Sequence, residues 1–136
     1  MPRSAFLALL VVGACAGSQK GASGEDPCAD VPLDAEHVWS AEIRAEFLGK
    51  GGTLAGQTRE GVATKMDDLS RDWVMLRRSV CLDHFRRQVI SREVYVVRAR
   101  CLDENLQAQR AFIAAPDEGG ARLQTLSDEI RRCGDR

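Results

Sequence analysis

From Val62 the apolar residues run Val62, Met66, Leu69, Trp73, Leu76 and Val80, at spacings of 4, 3, 4, 3 and 4. One side of an α-helix repeats at that interval. The pattern therefore predicts an amphipathic helix that begins in or after the Gly-rich stretch at residues 49–56 and extends to about Arg87. A second helix is expected from Ser91, whose hydroxyl suits an N-cap, with Val94, Val97, Cys101, Ala108 and Phe112 on one side. It should stop before Pro116, because proline disfavours helix in the residue before it. Leu123, Leu126, Ile130 and Cys133, spaced 3, 4 and 3, mark the buried side of a last helix. Upstream, Val38, Trp39, Ile43 and Phe47 predict a first helix over about residues 34–48, which Gly49, Gly51 and Gly52 would end. No segment carries a convincing strand pattern. The expected fold class is all-α, a small antiparallel helical bundle of about four helices.

Length and composition narrow this further. A chain of 136 residues supports one domain. Its formal net charge of -1 gives bulk electrostatics no preference for nucleic acid or for a strongly anionic partner. Aromatic residues make up only 5%, as suits a helical protein better than a β-sandwich.

The N-terminus carries an address. Arg3 is followed by an unbroken apolar or small run at residues 4–14, the length of a signal-peptide core and far short of the roughly 20 residues a membrane span needs. Val12-Gly13-Ala14-Cys15 resembles a bacterial lipobox, an aliphatic residue and two small ones before a cysteine. The resemblance implies that residues 1–14 are removed and that Cys15, as the new N-terminus, is acylated on sulfur and amine with palmitate-like chains. Two or three chains anchor stably where one does not. The competing expectation is that Ala14-Cys15-Ala16 is a small-x-small cleavage site releasing a soluble protein. Residues 16–26, "AGSQKGASGED", lack periodicity and apolar bulk, so residues 15–27 read as lipidated cysteine plus flexible tether. A folded domain is expected over residues 28–133, with 134–136 a tail.

Setting Cys15 aside leaves Cys28, Cys81, Cys101 and Cys133, an even set that in an exported protein forms two disulfides with three possible connectivities. Cys81 and Cys101 each begin Cys-Leu-Asp and lie ten residues either side of Ser91. If the chain reverses at Ser91, antiparallel helices bring them to one height, so Cys81 is expected to pair with Cys101, and Cys28 with Cys133 by elimination.

Cys28, Val38-Trp39, Trp73, Arg77, Cys81, Ser91, Cys101-Leu102 and Cys133, with a spacing of twenty between the middle cysteines, form a recognisable series. It resembles the extracytoplasmic four-cysteine helical segment of large bacterial eukaryotic-type Ser/Thr protein kinases. The resemblance implies a helical fold outside the cytoplasm and lends no activity. The sequence carries no kinase domain, membrane span or repeat array, and a lipoprotein-type leader stands where the span would be.

Candidate chemistry is thin. Cys81 and His84 form Cys-x-x-His, but further ligands do not follow at metal-site spacing, so no metal and no cofactor is expected. His37 and His84 adjoin no nucleophile, and they read as surface or partly packed residues. Asp67-Asp68 falls on the polar side of its helix, and Asp117-Glu118 after Pro116 suits a helix N-cap and first turn. No catalytic residue is assigned. Trp39 and Trp73 lie in apolar registers and read as core. Arg86, Arg87 and Arg92, with Arg77, Arg78, Arg98 and Arg100 nearby, make a basic hairpin tip, a candidate contact for anionic head groups or an acidic envelope partner. The expectation is a non-enzymatic binding or assembly module, tethered to the envelope with the outer membrane favoured because Ala16 follows the lipidated cysteine. The alternative is a periplasmic small-ligand sensor or carrier with a pocket between helices. A filled core with an exposed apolar or basic patch would favour the module, and a concave apolar pocket with convergent polar groups the carrier.

Overall fold

The computed structural model describes residues 26–136; the predicted signal peptide, Cys15 and the tether up to residue 25 lie outside them. Val31 and Pro32 open a short helix, α1 (Val31–Glu36), where proline costs nothing because the first N–H groups have no intrahelical partner. The chain then breaks. Ser40 is extended and its hydroxyl accepts from the Ile43 N–H at 3.2 Å, starting α2 (Ala41–Gly49). The single first helix expected over residues 34–48 is thus two. The break turns both Val38 and Trp39 inward, whereas one continuous helix would point them about 100° apart.

Gly49 ends α2, and Gly51 and Gly52 carry the chain away with φ of 62° and 75°, as the glycine run led one to expect. Two two-residue strands that the sequence did not announce come next, β1 (Thr53–Leu54) and β2 (Gln57–Thr58), paired antiparallel. Ala55 and Gly56 turn between them with φ of 49° and 78°, the two positive angles a tight hairpin needs. Strands this short show no alternation to read.

Three long helices form the body: α3 (Arg59–Phe85), α4 (Arg92–Ala114) and α5 (Gly119–Asp135), with α1, α2 and the hairpin packed on α3. Among the described residues the fold is all-α apart from that hairpin. Thr58 caps α3 by accepting from the Gly61 N–H, and Ser91 caps α4 by accepting from the Val94 N–H, as predicted for Ser91. Val62, Met66, Leu69, Trp73 and Val80 are buried as their spacing required, with Leu76 half-buried, and so are Leu123, Leu126, Ile130 and Cys133. Gly119 enters α5 at φ +59°, and a Cβ there would stand 2.7 Å from the Leu54 carbonyl oxygen. Only glycine fits. The Gly120 N–H donates to Gln57 Oε1 at 2.7 Å, locking the hairpin to the start of α5.

The buried side of α4 differs from the one expected. Of Val94, Val97, Cys101, Ala108 and Phe112 only Phe112 is buried; Ala99, Leu102, Asn105, Leu106 and Gln109 fill the seam with it. Two of these are amides. Asn105 Nδ2 donates to the Leu126 carbonyl at 3.0 Å and Gln109 Nε2 to Asn105 Oδ1 at 2.9 Å, while the buried Gln109 Oε1 has no hydrogen-bond partner. Asp117 and Glu118 are both exposed; Glu118 holds the N-cap position of α5 as expected, without a side-chain capping bond, and Asp117 precedes it rather than entering the first turn.

All four described cysteines are bridged, but in another pairing: Cys28 with Cys81 and Cys101 with Cys133, at Cα separations of 5.7 and 5.5 Å. The expected pairing of Cys81 with Cys101 fails because the reversal is a six-residue turn, residues 86–91, rather than a pivot at Ser91. Cys81 lies four residues before the end of α3 and Cys101 nine after the start of α4. That five-residue mismatch is ~7 Å of height at ~1.5 Å per residue. The seam between the helices is filled instead by His84, Tyr95 and Arg77. Cys101 therefore meets α5, and Cys81 receives the N-terminal segment.

Candidate functional site

The end of the α3–α4 hairpin is where exposed chemistry gathers. α3 stops because Gln88 takes φ 55°, a left-handed conformation, while the Val89 N–H reaches back to the Asp83 carbonyl at 2.9 Å. Behind this turn the His84 ring stacks on Tyr95 at 4.8 Å between centroids, and Phe85 meets the same ring edge-on at 5.2 Å. His84 Nδ1 lies 3.3 Å from the Ile90 carbonyl oxygen, a placement suited to the tautomer with its proton there. Arg77 joins from below, its guanidinium 5.8 Å from the Tyr95 centroid and its Nε 3.1 Å from Asp103 Oδ1. Burial works against the Arg77 charge, but Asp103 and Tyr95 outweigh it and hold its pKa above the ordinary value. The tip thus rests on a packed aromatic and ionic base.

Beyond that base the surface is apolar and basic together. Among the described residues the exposed large apolar side chains are Leu33, Met75 and four from this one region: Phe85 (44% exposed), Val89 (67%), Val96 and Val97. Arg86, Arg87 and Arg92 are exposed around them. Arg87 bonds to Asp83 at 2.7 Å, and Arg86 stands 3.9 Å from Asp26. Glu93 is held below its ordinary pKa by its own backbone N–H and then by Ser91, and stays charged at the start of α4. The arginines came from the sequence; the apolar half did not. Val94, Val96 and Val97 point in three directions from a helix, more than one stripe can bury, and that crowding was the available signal.

The N-terminal segment joins the domain at this same end. Cys28 is bonded to Cys81, two residues before Asp83, and Asp26 faces Arg86. Replacing Arg86, Arg87 and Arg92 together with glutamine is expected to change the unfolding free energy by no more than about 0.5 kcal/mol, since all three side chains are solvent-exposed. A urea titration checks it; a larger loss would mean that these side chains hold the turn.

Elsewhere the sequence candidates have structural work. Asp67 Oδ1 accepts from Trp39 Nε1 at 2.7 Å and both its oxygens lie 3.1 Å from Arg44 Nε, clamping α2 and the preceding turn to α3. Asp68 pairs with Arg71. Trp39 and Trp73 are core, Trp73 donating to the Leu102 carbonyl at 2.7 Å. His37 is exposed, and the Cys81 sulfur beside His84 is committed to its disulfide. A cleft of about 690 Å³ runs between α3 and α5 and is lined by Asp72, Met75, Leu76, Ile130, Arg131 and Gly134. It lies on the surface and brings no buried polar groups to a common point. No helix among the described residues is long and apolar enough to cross a membrane. Comparison with known protein families, curated proteins and solved structures gives no match to this chain.

Proposed function

We propose that the protein is a bacterial envelope lipoprotein, a non-enzymatic binding or assembly module held on the membrane by acyl chains on Cys15. The observation that carries this is the engagement of Cys28, Cys81, Cys101 and Cys133 in two bridges. Disulfides persist in oxidising compartments, which supports export. It also leaves Cys15 as the odd cysteine, directly after Val12-Gly13-Ala14. The likeness of the cysteine and tryptophan series to an extracytoplasmic kinase segment agrees with the same side of the membrane. Ala16 after the anchor favours the outer membrane. The exposed apolar and basic tip favours a surface that binds over a pocket that carries. The small-ligand alternative has the α3–α5 cleft as its one supporting feature.

Cys15→Ser tests the anchor. The variant is expected to lose incorporation of labelled palmitate and to leave the detergent phase, since acyl chains supply ~0.8 kcal/mol per buried methylene. Unchanged labelling and partitioning would remove the lipoprotein assignment.

A further inference from the structure

We infer that the α3–α4 tip is a second, non-covalent membrane contact, with Phe85 and Val89 entering the interface of an anionic phospholipid bilayer and Arg86, Arg87 and Arg92 meeting its phosphates. The inference rests on the proposed acylation of Cys15 for its geometry. The chemistry of the patch comes first. Phe85 and Val89 are exposed within a few residues of Arg86, Arg87 and Arg92 at the end of a hairpin, and residues 83–100 hold five arginines against Asp83 and Glu93, a formal excess of +3. Apolar side chains ringed by cations suit the boundary between head groups and acyl chains. They do not suit water.

The route of the chain supplies the independent argument. Cys28 is bonded to Cys81, four residues from the end of α3, so the segment leading from Cys15 arrives at the tip rather than at the opposite end of the bundle. Thirteen residue steps separate Cys15 from Cys28, at most about 45 Å of chain. The 27-residue α3 is itself about 40 Å long. A bilayer that holds Cys15 is thus within easy reach of the tip, whereas only a nearly straight chain would bring the far end to it. A linker this short also gives a local concentration in the millimolar range, so weak lipid contacts are enough to populate the docked arrangement. The packed His84, Phe85 and Tyr95 rings hold the tip in one shape before contact.

The test uses the full chain, purified from membranes and reconstituted in vesicles of phosphatidylglycerol and phosphatidylethanolamine carrying a photoreactive acyl chain. Labelling is expected to concentrate on the peptides spanning residues 85–97. It should fall roughly tenfold or more when Arg86, Arg87 and Arg92 are all glutamine, because each arginine is worth about fivefold at an anionic surface. Val89→Asp should reduce it as well, and phosphatidylcholine in place of phosphatidylglycerol should act like loss of the arginines. Labelling spread over all faces, or centred on the α3–α5 cleft, would overturn the inference. The intact mass of the same sample reports acylation of Cys15 separately. An acylated chain labelled elsewhere sinks the tip contact and keeps the anchor. A chain without acyl groups that still labels at the tip sinks the anchor and keeps the contact.

Discussion

Removing the bridge between Cys28 and Cys81 with the pair Cys28→Ala and Cys81→Ala is expected to lower the unfolding free energy by about 4 kcal/mol. The bridge spans 53 residues, and closing a loop of that length removes much of the disorder of the unfolded chain. Alanine is preferred to serine because both positions are buried and a hydroxyl there would lose its water. Against a total of about 5–15 kcal/mol for a domain, the loss removes between about a quarter and four fifths of the net stability. Urea titrations of the bridged and unbridged forms measure it. Peptide mapping without reduction should return Cys28 joined to Cys81 and Cys101 joined to Cys133. A peptide joining Cys81 to Cys101 would contradict the turn geometry that separates them.

Trp73→Ala should cost a similar amount, about 3–5 kcal/mol. Trp73 is wholly buried where α3 and α4 meet, and its Nε1 donates to the Leu102 carbonyl. Truncation leaves a cavity the size of an indole and takes that bond with it. Trp73→Phe keeps most of the volume and should lose about 1–2 kcal/mol, chiefly the hydrogen bond. Trp39→Phe should cost less than Trp73→Phe, because Asp67, the acceptor of its indole proton, is partly exposed and keeps Arg44 and water. Thermal unfolding of the three variants ranks them, and equal losses at both tryptophans would contradict their different surroundings.

The sequence spoke clearly where the buried stripe is apolar throughout. α3 and α5 are such helices, and their spacing named almost every buried residue. α4 closes its seam with Asn105 and Gln109, which a hydrophobic pattern assigns to water. Its face was therefore misread, and with it the direction in which Cys101 points. The break between α1 and α2 had a signal in Ser40, a capping residue just before Ala41-Glu42-Ile43, but the apolar spacing across it imitated a continuous helix. Disulfide pairing depended on the length of the turn between α3 and α4, and hence on where Gln88 adopts its left-handed conformation. No periodicity encodes that. At the tip the arginines were legible from charge alone, while the exposure of Phe85 and Val89 depended on tertiary packing that no periodicity encodes.

The intact mass of the mature chain, taken from the membrane fraction and alkylated without reduction, reads anchor and bridges in one spectrum. An N-terminal Cys15 carrying a diacylglyceryl group is expected, with no alkylation at Cys28, Cys81, Cys101 or Cys133. An N-terminus at another residue, an unmodified Cys15, or free thiols among the four would contradict it.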